Sequence, residues 1–234
     1  MEKKCDMGKK IMFNDKFGLT QAVKEGRKTM TRRIFYIPDK LVPYLDIDDT
    51  FDIADNCIIW KDKSGNARMT FEPKYKVGEV VAIAQSYKDI DIYYNAALFR
   101  KTSIHGQIID ELDLVSFQDI RRWKCFSGDL MNTPGWTNKM FVKADLMPSH
   151  IEITGIKVER LQDISDEDCL KEGIIHAYTD NDGIKRYHTP HTKRGYLSTD
   201  IPQQAFEFLI NKVSGKGTWE SNPFVFAYEF KLID

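Results

Sequence analysis

The sequence predicts an α+β fold: strands buried inside a barrel or sandwich, with helices on the outside and long inserted loops. Two observations carry that prediction. Val80 to Ala84 and the first half of Phe224 to Leu232 are apolar at every position, as in strands buried on both faces. Three other stretches carry helix punctuation: Leu19 to Glu25 before Gly26, Ser165 to Glu172 before Gly173, and Pro202 to Val213 before Gly215.

Taken in order, the polar Met1 to Lys10 leads into Ile11-Met12-Phe13, an expected first strand. Gly26, free to take positive φ, closes the first helix. The chain then reads Gly26-Arg27-Lys28-Thr29-Met30-Thr31-Arg32-Arg33, with four positive charges and two hydroxyls in eight residues. Thr29 and Thr31 favour an extended path, which would put Lys28, Met30 and Arg32 on one face and Thr29, Thr31 and Arg33 on the other. A tight turn at Lys28 and Thr29 would instead gather amine, hydroxyl and guanidinium. A basic strand edge in solvent is the plain alternative.

From Pro38 to Asp55 the aspartates are too irregular for a metal loop, and a solvated acidic loop is expected. Cys57 to Trp60 and Ala67 to Phe71 flank Asp62-Lys63-Ser64-Gly65-Asn66, which reads as a β-hairpin. Periodicity is weak between Asp89 and Pro134, although Phe117, Ile120 and Trp123 suggest a short helix. Tyr93, Tyr94, Trp123 and Trp136 could stack on bases or anchor loops to a core. After His150, the alternation of Ile151 and Ile153 continues at Ile156 and Val158 only with an extra residue, so a β-bulge is expected at Gly155.

Ser165 followed by Asp168 forms a capping box, and Ile164 with Cys169 supplies the hydrophobic staple, so a helix starts at Ser165. Glu172 falls at its C-terminal end, where the helix dipole disfavours its charge. Asn181 to Thr199 reads as a polar loop bearing Lys185, Arg186, His188, His191, Lys193 and Arg194 beside Tyr187 and Tyr196, a composition suited to single-stranded nucleic acid. His188-x-x-His191 encloses Pro190 and has no accompanying ligand, so no metal is expected there. Phe206, Leu209, Ile210 and Val213 form the apolar stripe of the last helix.

With 234 residues, 42% hydrophobic and 29% charged, the chain is long enough to bury about 70% of its unfolded surface. No flexible linker divides it, and one domain over 1–234 is expected. The 34 basic and 35 acidic residues nearly cancel, which excludes a bulk coater of nucleic acid and leaves only local patches. Cys5, Cys57, Cys125 and Cys169 form no CxxC pair; reduced cytoplasmic thiols without zinc are the expectation. No apolar run approaches the ~20 residues of a membrane span. Neither a cofactor nor a metal is expected.

The pattern Gly26-x-Lys28-x-x-Thr31-x-Arg33 resembles the signature of ASCH domains, a branch of the PUA-like β-barrel superfamily linked to RNA. Many of these carry Glu at the position of Thr31. The threonine form is similar to the small bacterial amidohydrolases that remove acetyl from N4-acetylcytidine, in which the matching lysine and threonine, and a later glutamate in a short helix, are catalytic. Leu161 to Glu172 resembles that helix and puts Glu172 on the glutamate's position. Tyr75 to Val80 is similar to the start of a barrel strand, and Trp219 with Asn222 to Phe230 resembles the last strand of longer, prophage-type ASCH proteins. The resemblance implies a PUA-like barrel with insertions at about 38–72, 88–135 and 174–200.

Two functions then stand. In the first, Thr31 attacks the amide carbonyl of an N4-acylated cytosine, Lys28 takes its proton, Glu172 gives one to the leaving amine, and Arg33 orients the substrate beside Arg27 and Arg32. As a base near pH 7 to 8, Lys28 needs its pKa lowered by about 2 to 3 units. In the second, a non-catalytic module binds a nucleoside or single-stranded RNA, with Lys28, Arg32 and Arg33 on phosphates and Lys185 and Arg186 on an additional arm. RNA cleavage, a third possibility, has no dedicated His pair or metal cluster in the sequence.

Overall fold

The computed structural model describes residues 8–102, 130–190 and 198–233. In chain order the strands are β1 (Lys10–Ile11), β2 (Met30–Ile34), β3 (Thr50–Ala54), β4 (Cys57–Lys61), β5 (Ala67–Phe71), β6 (Val80–Ile83), β7 (His150–Arg160), β8 (Ile175–Thr179), β9 (Lys185–His188) and β10 (Phe224–Leu232). The α-helices are α1 (Leu19–Lys24), α2 (Tyr87–Thr102), α3 (Asp166–Lys171) and α4 (Pro202–Ser214). The fold is thus mixed α+β, with several sheets and few helices. The chain clusters into two compact units, one of Met1–Phe13, Val80–Ile151 and Leu232–Asp234, the other of Asn14–Glu79 and Glu152–Lys231.

In the first unit β1 pairs in parallel with β6, in the register Lys10 to Ala82 and Ile11 to Ile83. Val81, Ala82, Ile83 and Ala84 are all buried, as a strand apolar on both faces must be. The expected strand at Ile11 to Phe13 is displaced to Lys10–Ile11, and Met12 is exposed. The largest difference from the sequence reading is α2, a helix of 16 residues where weak periodicity gave only an insertion. Its start was written in Ser86 and Asp89: the Ser86 hydroxyl accepts from the Asp89 amide at 3.2 Å, and the Asp89 carboxylate accepts from the Ser86 amide at 3.2 Å. Tyr94, on α2, and Trp136 pack against a core of Ala82, Tyr87, Ile90, Val142, Ala144 and Met147, so they anchor their segments to it. The expected helix at Phe117 to Trp123 lies outside the described residues.

In the second unit β7, β10 and β2 lie side by side in that order. β10 is antiparallel to β2, with Tyr228 opposite Thr31, Ala227 opposite Arg32 and Phe226 opposite Arg33. Val225 to Tyr228 are buried without a break. Along β7 the buried positions change from Ile151 and Ile153 to Val158, the change of parity anticipated around Gly155. A Cβ at Gly155 would lie 3.0 Å from the Glu229 carboxylate, so a larger residue there requires that side chain to shift.

Two stretches expected as loops are strands. The acidic segment contains β3, which pairs with β4 through a two-residue turn at Asp55 and Asn56, both with positive φ. β4 and β5 form the expected hairpin, giving a three-stranded sheet. The polar stretch contains β9, which pairs with β8 around a turn at Gly183, φ +81°. His191, Lys193, Arg194 and Tyr196 lie outside the described residues. α4 spans its predicted range and buries Phe206, Leu209 and Ile210, but Val213 at its end is exposed.

Candidate functional site

The site grows from two short helices of the second unit that end in the same way. At the end of α1 the Gly26 amide donates to the Val23 carbonyl at 3.0 Å and the Arg27 amide to the Ala22 carbonyl at 2.9 Å, with Gly26 at φ +70°. At the end of α3 the Gly173 amide donates to Leu170 at 2.9 Å and the Ile174 amide to Cys169 at 3.1 Å, with Gly173 at φ +102°. Both are Schellman turns, which reverse the chain and satisfy the last helical carbonyls. The first delivers Lys28 and the second delivers Glu172. A direct bond joins the two exits, since the Thr29 amide donates to the Lys171 carbonyl at 2.9 Å.

Lys28 is 2% exposed and Glu172 4% exposed. The Lys28 amine donates to the Glu172 Oε2 at 2.5 Å and to the Glu172 main-chain oxygen at 2.7 Å. The cation therefore sits on the negative end of α3 as well as on a carboxylate. Burial pulls the Lys28 pKa down from its ordinary value; Glu172 opposes this, Arg33 and Arg32 add to it, and the balance is downward.

Thr31 and Arg32 are adjacent in β2 and so belong to opposite faces. Arg32 has its side chain fully buried. Its Nε donates to Glu159 at 2.8 Å, one terminal nitrogen donates to Asp168 at 2.8 Å, and the other reaches Glu172 Oε1 at 3.3 Å. Lys157 completes the group, donating to Asp168 at 2.6 Å and pairing with Glu159 at 3.0 Å. Burial works against the Arg32 charge, yet Glu172, Glu159 and Asp168 outweigh it and raise its pKa. Burial likewise opposes the Asp168 charge, and Lys157 and Arg32 hold its pKa below the usual carboxylate range.

On the other face, Thr31 is 5% exposed. Tyr228 stands opposite it, the ring edge-on to Tyr75 at 5.2 Å. Arg33 shares this face; burial depresses its pKa, while Tyr75, Glu172 and Tyr228 support its charge. Burial pushes the Tyr75 hydroxyl up to about 12.

The fold therefore brings Lys28 and Glu172 into contact, with Arg32 against the same carboxylate and Thr31 one residue along the strand. Other expected site residues lie apart. Arg27 is half exposed and paired with Glu25. Arg186 donates to Asp180 at 2.8 and 3.0 Å across the hairpin turn, and Lys185 is exposed; among the described residues neither touches Lys28, Thr31 or Glu172. Arg32, expected on the substrate, has its donors occupied by carboxylates.

Sequence reasoning missed Glu159, Asp168 and Lys157. Lys157-x-Glu159 was a legible sign, two charges on one face of a strand whose intervening Val158 is buried. Asp168 was read as part of the capping box, and its amide does donate to the Ser165 hydroxyl at 3.2 Å, but its carboxylate goes to Arg32 and Lys157.

Among the described residues no group of three or more His, Cys, Asp or Glu side chains is arranged to hold a metal. No helix there is long and apolar enough to cross a membrane. Compared with known families, curated proteins and solved structures, the chain matches none.

Proposed function

We propose that this chain is an ASCH-type protein that binds a nucleoside or single-stranded RNA and hydrolyses the amide of N4-acylated cytidine. The observation that carries the reading is the buried Lys28–Glu172 pair, formed by two of the three residues expected to do the chemistry, with the third, Thr31, also buried on the strand that follows Lys28. In the same reading β2, β7 and β10 are staves of a PUA-like barrel, supported by the unbroken burial of Val225 to Tyr228.

The pair suits the chemistry because burial draws the Lys28 pKa down, toward the neutral amine that a base requires, and a carboxylate lies within hydrogen-bond reach of it to carry a proton onward. The Thr31 oxygen bonds to the acyl carbon as the Lys28 amine takes its proton. The tetrahedral intermediate then collapses, the C–N bond breaks, and Glu172 supplies the proton that the exocyclic nitrogen of cytidine needs to leave. Water hydrolyses the Thr31 ester, releasing the carboxylic acid and restoring the hydroxyl. Arg33, on the Thr31 face, orients the substrate.

The test is loss of acetyl from N4-acetylcytidine. The parent should turn over, Thr31→Ala should fall by about 10³-fold or more with binding retained, and Glu172→Gln should lose the pH dependence of the rate. One observation favours the other class: the Lys28 amine already bonds twice to Glu172, which suits a purely structural cation. No acetyl loss from the parent, with cytidine or RNA still bound, would reject the hydrolase and leave the binding module.

A further inference from the structure

We propose that Arg32 is a positioning residue for the Lys28–Glu172 pair, not a substrate contact, and that Glu159 and Asp168 form the bracket that fixes it. The inference rests on the reading of that pair as the working centre.

Geometry motivates it. Glu172 has two carboxylate oxygens with different partners: Oε2 takes the Lys28 amine at 2.5 Å and Oε1 faces Arg32 at 3.3 Å. A guanidinium is a rigid planar fork, so fixing two of its nitrogens fixes the third. Glu159 and Asp168 come from β7 and α3 and hold Nε and one terminal nitrogen at 2.8 Å each. The remaining nitrogen is thereby aimed at Oε1, and the Glu172 carboxylate cannot rotate to offer both oxygens to Lys28 without losing Arg32.

The electrostatics give Arg32 a second role. Charged groups acting on Lys28 include Glu172 at the end of α3 and Arg32 and Arg33 on β2. The groups acting on Arg32 are Glu159, Asp168 and Glu172, with Lys157 on the far side of the two bracket carboxylates. An always-protonated guanidinium opposes a proton on the neighbouring amine, so it favours the neutral lysine that a base requires. Because Glu159 and Asp168 are already shared with Lys157, the bracket holds Arg32 without a surplus of negative charge.

The experiment follows the titration of Lys28 directly, by NMR of the chain carrying ¹³C-labelled lysine, with Lys28→Arg to assign the signal. In Arg32→Gln the Lys28 midpoint should rise by about half a pH unit or more, while Arg32→Lys, which keeps the charge, should stay close to the parent. Acetyl release measured alongside should show a lower kcat in both variants with KM little changed. Where Arg32→Gln does not fold, Arg32→Gln with Asp168→Asn removes the charge without stranding a buried carboxylate, and its midpoint should rise in the same way. A Lys28 midpoint unmoved in every folded variant, or a rise in KM with kcat intact, would overturn the proposal. Absence of turnover in the parent would overturn the hydrolase alone, because the titration reads Arg32 without any substrate.

Discussion

Lys28 concentrates the energetics of the site in one side chain. It is 2% exposed, so its charge has left water, and in exchange it holds, among its contacts, the carboxylate and the main-chain carbonyl of Glu172. Breaking such a pair strands the partner: Lys28→Met leaves Glu172 with Arg32 alone and should cost about 3 kcal/mol in urea unfolding, the lower end of the usual range. Lys28→Met with Glu172→Gln should recover part of that loss. The effect has a pH signature with a fixed sign. A lysine whose pKa is lowered in the folded state binds fewer protons there than in the unfolded chain, so its contribution grows as pH rises from the lowered value to the ordinary one near 10.4. The stability difference between the parent and Lys28→Met should therefore widen with increasing pH; a difference that narrows would show that Glu172 outweighs burial.

At the scale of elements, α1 and α3 are short, and their ends matter more than their lengths. Ser165 caps α3, so Ser165→Ala should cost about 1 kcal/mol. Gly26 and Gly173 invite a comparison, since both have positive φ but different surroundings. A Cβ at Gly26 would meet nothing within 4 Å, whereas one at Gly173 would lie 3.7 Å from the Lys28 side chain and 3.6 Å from Leu19. Both alanine variants should lose about 1 to 2 kcal/mol from the left-handed backbone, but only Gly173→Ala should also disturb acetyl release, because its peptide follows the Glu172 carbonyl on which Lys28 rests. Equal activity losses in the two would detach the turn from the site. These helices were legible because caps, staples and glycine stops are local signals. β3, β9 and α2 were not, and for separate reasons: β3 and β9 are held by pairing to β4 and β8 without a buried apolar face to mark them, and α2 lacks an apolar stripe although Ser86 and Asp89 marked its start. The Arg32 bracket was the least legible part. Its members are 127 and 136 residues from Arg32, and no spacing rule reaches that far.

At the scale of the whole chain, a net charge of −1 means that a polyanion is not attracted from a distance, so any RNA must be held by local cations. Those of the second unit differ in availability. Arg32 is enclosed by carboxylates, Arg27 leans on Glu25, and Arg186 is gripped by Asp180 through two of its nitrogens. Lys185, one residue before Arg186 on β9, is exposed. If the β8–β9 hairpin contacts single-stranded RNA, each phosphate neutralised there contributes about 0.7 to the slope of log affinity against log salt concentration. Lys185→Ala should then flatten that slope by about 0.7, and adding Lys193→Ala and Arg194→Ala should flatten it further. Arg186→Ala should change it less, because Asp180 already occupies the guanidinium that a phosphate would need. Anisotropy of a labelled oligoribonucleotide, titrated from about 50 to 200 mM salt, reads all of these variants. A slope unchanged in Lys185→Ala and in the triple variant would remove the hairpin from the RNA surface, and a fall in Arg186→Ala as large as in Lys185→Ala would mean that RNA displaces Asp180.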